Sequence, residues 1–386
     1  MKLPTLSTTA SLSTLLSVAL VAGSTFTASA ETIDTRWAKV EVETVASGLV
    51  RPWGIAFLDN GRMLVTEMPG RLRIVEADGT LGEPISGLPE VRVRNQGGLL
   101  DVALAPDFAE TQRIYISWSE PEASGSNVTS TAVAHARLEN GALHDFTHIF
   151  SGYPKVAGGR HYGGRMVFTP DGQHLYVGLG DRGHQMIESQ DLDSHTGTLI
   201  RIHPDGSIPA DNPFVNTAGA LPEIYSYGHR NIQGIDIQPT TGQVWAVEHG
   251  PQGGDEVNAP EPGKNYGWPV ITHGEQYGGG EIAEAVGFKK EGMELPVWHW
   301  TPSIAVAGMT FYTGDAFPAW QGNILAGGLR GQQVARLEVD GDRIIHQEVM
   351  KLDYRIREVQ EGPDGFIYLL TDERENAKIL RLRPAQ

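Results

Sequence analysis

Short apolar runs alternate with turns along almost the whole chain, and one phrase recurs six times: an apolar run, a turn rich in Pro, Asp, Asn or Gly, then a second apolar run. The copies are Gly54–Gly61 with Met63–Thr66, Leu99–Leu104 with Ile114–Trp118, Arg165–Phe168 with Leu175–Leu179, Ile232–Ile237 with Val244–Val247, Met309–Tyr312 with Asn323–Gly327, and Arg357–Gln360 with Phe366–Thr371. Asn60-Gly61, Asp171-Gly172 and Asp364-Gly365 sit between paired runs, where tight hairpin turns need residues that accept positive φ. Successive turns fall roughly 46–77 residues apart, a spacing that fits repeated sheets of about four strands. The pattern therefore predicts an all-β fold, a six-bladed β-propeller with four-stranded antiparallel blades. A β-sandwich or several small β domains would give similar runs, but no linker divides the copies. No helical periodicity of substantial length is visible, and the longer steps leave room for loops over a central channel.

The first 30 residues follow another pattern. Lys2 is their only charge, Leu15–Val21 is an apolar run, and Ala28-Ser29-Ala30 is a small-residue cleavage site. Residues 1–30 read as a signal peptide, with a signal anchor as the alternative, and 31–386 as a single propeller domain. Export to the periplasm is expected. No later run is long enough to span a bilayer. Composition narrows the chemistry: with no Cys in 386 residues, disulfides, Cys-ligated zinc, iron–sulfur clusters and catalytic thiols are excluded. A net charge of −17 excludes a globally basic nucleic-acid footprint.

Candidate chemistry lies in the loops. Gly178-Leu-Gly180-Asp-Arg-Gly183 matches a dinucleotide fingerprint, but a polar, loop-like stretch follows it instead of an apolar helix, so that reading fails. His161, flanked by glycines in Gly158-Gly-Arg-His-Tyr-Gly-Gly-Arg165, can be approached closely and suits a general base, although a structural histidine would look the same. Arg230-Asn231, Arg330, Arg355 and Arg357 stand beside repeat strands. Singly each suits a surface salt bridge; converging on a propeller axis they would bind carboxylates. The segment Glu248–Asn258 offers hard oxygen ligands and a glycine-rich backbone, as calcium prefers, and also reads as an ordinary acidic turn.

These motifs, in this order, resemble the soluble pyrroloquinoline-quinone (PQQ) dependent aldose sugar dehydrogenases, the glucose/sorbosone dehydrogenase family. The similarity runs from Val50-Arg-Pro-Trp-Gly54 to Leu370-Thr-Asp372. It includes Asn95-Gln-Gly-Gly-Leu-Leu100, the stretch Gln190–Arg201, Gly263-Lys-Asn-Tyr-Gly-Trp-Pro269 and Trp300-Thr-Pro-Ser-Ile304. The resemblance implies a six-bladed propeller that oxidises aldoses at C1 to lactones, passing hydride to C5 of PQQ. It implies His161 as general base, and Arg230 and Asn231 beside the quinone oxygen. Gln96 and Asp181 would lie around His161 and the cofactor, and Arg330, Arg355 and Arg357 would hold PQQ. Backbone carbonyls of Gly250 and Pro251 would bind a calcium ion that also contacts PQQ, and Glu256 and Tyr266 match a second, structural calcium site.

Three positions depart from the family pattern: Arg330 stands where lysine is common, Ile304-Ala-Val306-Ala307-Gly308 stands where Ala-Pro-Ser-Gly is frequent, and Arg160 precedes His161 where one branch has an acidic residue. The implied partners are an aldose substrate and an external electron acceptor, a cytochrome or a quinone, with no nucleic acid and no membrane span; a monomer or a homodimer is expected. Two other readings remain at this stage. A calcium-dependent propeller hydrolase or lactonase would need carboxylate and Asn ligands converging on one axial metal. A non-catalytic binding propeller would be expected to lack His161 or Arg230.

Overall fold

The computed structural model describes Met1 and residues 31–385; the expected signal peptide lies outside the described residues. Among them, no helix is long and apolar enough to cross a membrane.

Each repeated phrase is the innermost antiparallel strand pair of one sheet. The six innermost strands are Pro52–Phe57, Leu99–Leu104, Met166–Phe168, Ile232–Ile237, Val306–Phe311 and Ile356–Glu361. Each neighbours the next, and the last neighbours the first, so the sheets form a closed six-bladed propeller. Three blades, the third to the fifth, have the expected four strands; the first has three, and the second and sixth have five. The first blade falls short because the chain beyond Arg71–Val75 carries Pro84 and Pro89, which have no N–H to extend a ladder. There Gly82 and Ile85 still donate single backbone bonds to Ile74 and Leu72.

The sixth blade closes the ring. Lys39–Leu49 pairs antiparallel with Ala377–Pro384, so strands from opposite ends of the propeller domain share one sheet. The core is divided among the seams. Six apolar clusters each join two adjacent blades: Leu64 and Leu72 against Trp118, for example, or Trp245 and Val247 against Phe311 and Leu337. Each fully buried Leu, Ile or Val contributes about 1.5–3 kcal/mol, so the ring is held mainly at these six faces.

At the axis the inner strands approach too closely for bulky side chains at every station. An ideal Cβ on Gly308 would lie 2.5 Å from Oε1 and 2.7 Å from Cα of Glu358. Opposite stands an ion cluster: Arg165 Nη1 lies 2.9 Å from Asp101 Oδ1 and also pairs with Glu358. The Trp53 ring lies 4.1 Å from the same guanidinium.

Gly308→Ala is expected to lower stability by about 1–3 kcal/mol through overpacking, read as a lower urea midpoint; an unchanged midpoint would show slack at the axis.

Candidate active site

The predicted hairpin turns lie at one end of the inner strands, and the candidate residues gather at the other, where inner strands begin and second strands end. A cavity of about 340 Å³ opens there, lined by Arg51, Trp53, Gln96, Gly163, His249, Tyr277, Arg355, Arg357 and Asp372 among others. Three guanidiniums and one carboxylate line it, with Arg51 Nη1 donating to the Asn95 carbonyl. Asp372 Oδ2 accepts from Arg355 (3.2 Å) and Arg357 (3.4 Å), and Arg357 Nη1 donates to Gln233 Oε1 at 3.0 Å. Arg357 Nε and His249 Nε2 are buried without protein partners. Burial first, then the Arg357 and Arg230 charges, hold His249 well below the ordinary histidine value, so it is a neutral imidazole.

His161 belongs to the loop that contributes Tyr162 and Gly163 to the cavity wall. Its backbone is left-handed, with φ of 47°, a conformation that costs a non-glycine residue about 1 kcal/mol or more. Gln96 Oε1 accepts its N–H at 2.7 Å. Its ring Nδ1 lies 2.5 Å from Asp181 Oδ1. Asp181 in turn accepts from Gly183 N–H at 2.7 Å and, through Oδ2, from Trp268 Nε1 at 2.8 Å. Burial pushes the Asp181 carboxyl up, but the hydrogen bond and charge of His161, then Arg230, outweigh it and hold the carboxyl below its usual value. A carboxylate at Asp181 takes the proton on Nδ1, which leaves Nε2 as the basic nitrogen. Burial and then Arg230 lower the His161 pKa, against the raising effect of Asp181.

Arg230 is held by its N–H on Glu248 and by Nη1 on the His249 carbonyl at 2.9 Å; its Nε has no protein acceptor. Asn231 plays a different local part: its Oδ1 accepts from Gly163 N–H at 3.1 Å and from Gln233 Nε2 at 3.3 Å, tying the His161 loop to the fourth blade.

The four expected metal residues, Gly250, Pro251, Glu256 and Tyr266, share with Glu248 one void of about 10 Å³. Burial first, then the neighbouring Glu248, raises the Glu256 carboxyl far above the ordinary range. Asn258 Nδ2 donates to both carboxylates, at 2.8 and 3.2 Å. An ideal Cβ on Gly250 would lie 2.2 Å from the Gly254 carbonyl oxygen and 2.3 Å from that of Gly253. Two buried carboxylates and crowded carbonyl oxygens fit a hard cation. Among the described residues no group of three or more His, Asp or Glu side chains has metal-holding geometry, so any ion here would lean on backbone oxygens.

Arg330 is exposed; its backbone N–H reaches Ile304, and Leu329 lines the cavity in its stead. Arg51 supplies the third cation. The sequence reading missed Arg51, Trp53, His249, Tyr277 and Asp372. Arg51 and Asp372 stand inside the quoted phrases Val50–Gly54 and Leu370–Asp372, which was the one available signal.

The fold and the sequence together place the chain in a family of sugar dehydrogenases. The sequence matches the Glucose / Sorbosone dehydrogenase family over residues 49–381, and the chain belongs to that family. It is 45% identical over 352 residues to the aldose sugar dehydrogenase YliI of Escherichia coli, covering 90% of this chain and 94% of that one. The crystal structure of the soluble aldose sugar dehydrogenase from Escherichia coli in its apo form superposes with a TM-score of 0.85, at 44% identity and over 90% of this chain and all of that one. The PQQ-bound aldose sugar dehydrogenase from Streptomyces coelicolor follows with a TM-score of 0.72 and 31% identity, over 90% and 98% of the two chains.

The His161 ring should titrate below 6.5 by NMR. Asp181→Asn should lower the midpoint further, because the Asp181 hydrogen bond and charge are what hold it up. A midpoint above 6.5 contradicts the arrangement.

Proposed function

We propose that this protein is a PQQ-dependent aldose dehydrogenase that oxidises the sugar at C1 to the lactone and passes the electrons to an external acceptor. The observation that carries the reading is the cavity wall, where Arg51, Arg355 and Arg357 stand against the single carboxylate of Asp372 in a chain of net charge −17. A flat tricarboxylate fits such a wall, since guanidinium forks bind carboxylates in pairs. The orphaned Arg357 Nε and His249 Nε2 would each gain a partner.

PQQ, when bound, supplies a quinone carbonyl whose C5 accepts the hydride from sugar C1. The protein's own part is proton handling and charge. His161 Nε2 takes the proton of the anomeric hydroxyl, while Nδ1–H stays on Asp181. Gln96 fixes the peptide of His161 from the other side. Asp181 stabilises the imidazolium once it forms, which its depressed pKa allows. Arg230, whose Nε–H lacks a protein acceptor, would offer that donor to the negative charge that the quinone oxygen would gain, with Asn231 keeping the two loops in register. Backbone carbonyls of Gly250 and Pro251 would hold one calcium ion, and Glu256 with the Tyr266 backbone a second, structural one; all four residues line the same void. Export to the periplasm after cleavage at Ala30 belongs to the same reading, supported by the small-residue motif Ala28-Ser29-Ala30.

A hydrolase would use axial carboxylates as metal ligands, whereas the axial carboxylates Asp101 and Glu358 are engaged by Arg165.

Apo-protein given PQQ and calcium should reduce a dye with an aldose. His161→Ala should lower kcat by about 10²–10⁴ while PQQ still binds; full activity in that variant would remove His161 as the base. Chelation should lower the melting temperature and calcium should restore it; no shift in either direction would sink the calcium assignment.

A further inference from the structure

The turn Gly178–Gly183, set aside as a dinucleotide fingerprint, packs directly beneath the His161 loop. An ideal Cβ on Gly180 would lie 2.4 Å from the His161 carbonyl oxygen, so the two backbones touch. Asp181 from this turn holds the ring of His161. The next residue, Arg182, holds the peptide. Its Nη1 donates to the Arg160 carbonyl at 2.8 Å and to the His161 carbonyl at 3.4 Å. Nη2 donates to Thr129 Oγ1 at 3.1 Å, and the guanidinium lies 3.6 Å from the centroid of the Tyr162 ring. Tyr162 is itself fixed, since its hydroxyl and that of Thr129 are 2.8 Å apart.

Arg182 is only 5% exposed and forms no ion pair among the described residues. Burying a cation without a counter-charge is costly, and an apolar side chain of similar volume would pack there at less cost. The arginine is explained by what its planar fork does: it grips two successive carbonyls, one hydroxyl and one ring face at once, which no other side chain can do. The peptide it grips is the left-handed one at His161, with φ of 47°. Such backbone persists only where the surroundings over-determine it. Gln96 holds the N–H side and Arg182 the C=O side.

We infer that Arg182 is a positioning residue for His161, clamping the carbonyls of Arg160 and His161 so that the left-handed backbone holds the imidazole on Asp181 beside the cavity wall. The inference rests on the reading of His161 as the general base. Misplacement of a base by about 1 Å can lower a rate 10²-fold, so removal of the clamp should act on turnover and spare binding.

The test compares Arg182→Met and Arg182→Lys with the wild type. Turnover is expressed per PQQ-loaded site, counted by titrating apo-protein with PQQ in the presence of calcium. Arg182→Met should lower kcat per loaded site about 10- to 100-fold, with the sugar KM and the PQQ affinity changed less than about threefold. Arg182→Lys, which keeps a donor for the carbonyls but not the planar fork, should recover part of the loss and stay several-fold below the wild type. In the apo-protein, the downfield proton resonance of the His161 Nδ1–H···Asp181 bond should be sharp in the wild type and Arg182→Lys, and broadened in Arg182→Met. Wild-type kcat per loaded site in Arg182→Met, or an unaltered resonance, overturns the assignment. If Arg182→Met fails to fold, Arg182→Lys decides: a kcat per loaded site reduced several-fold at an unchanged melting temperature supports the clamp, and the wild-type value refutes it. An inactive wild type would refute the base reading, while the apo-protein resonance would still report whether Arg182 orders His161.

Discussion

Six inner strands must meet around one axis, and the whole molecule depends on how that crowding is resolved. Glycines at 54 and 308 let neighbouring backbone and carboxylates in, and Arg165 is shared between Asp101 and Glu358. Burial raises the Glu358 carboxyl to about 8 against the pull of Arg165, so near neutral pH the cluster retains a proton and one guanidinium suffices for two carboxyl groups. Removing one partner of such a buried group typically costs about 3–5 kcal/mol. The cluster also forms the base on which the cavity stands. Trp53 lies across Arg165, and Gln233 accepts from Arg165 through its carbonyl and from Arg357 through its side chain. The seams between blades supply bulk stability; the axis fixes where the site's cations point.

The electrostatics of the cavity serve two ends through one field. Burial and then Arg230 depress His161, and burial and then Arg357 and Arg230 depress His249, which favours the neutral form of both imidazoles. The same excess of positive charge favours an anionic ligand. Asp181 limits the depression at His161 and fixes which ring nitrogen carries the proton, a division of labour that neither charge could achieve alone.

The fold was legible because its signals are local. Asn60 and Gly61 have φ of 61° and 74°, and Gly172 and Gly365 have φ of 69° and 73°, the conformations that Asn-Gly and Asp-Gly pairs advertise. Strand counts were less so, because Pro84 and Pro89 spoil the fourth strand of the first blade while Glu31–Asp34 adds one to the sixth. The cavity was half legible. His161, Asp181, Arg230, Arg355 and Arg357 were readable as motifs; Arg51 stood inside a quoted phrase without being singled out, and nothing local marks Tyr277. Arg330 itself is exposed, while its neighbour Leu329 lines the cavity; the sequence marks the cation but not which way its side chain turns. Asn231 carries a chemical signature and a bracing contact, and only the geometry shows the second.

The pairing of Lys39–Leu49 with Ala377–Pro384 has a consequence in time. The sixth blade lacks its outer pairing, and the seam to the first blade lacks Ala377 and Ile379, until the last stretch of chain has been made. Blades two to five can form as they emerge, but the ring stays an open arc with two exposed sheet faces until then. Most strand pairs here are neighbours in sequence, but this closure is the longest-range pairing of the fold and forms late. Closure of the sixth blade therefore follows the synthesis of all six inner strands, and loss of the strand Ala377–Pro384 would undo it.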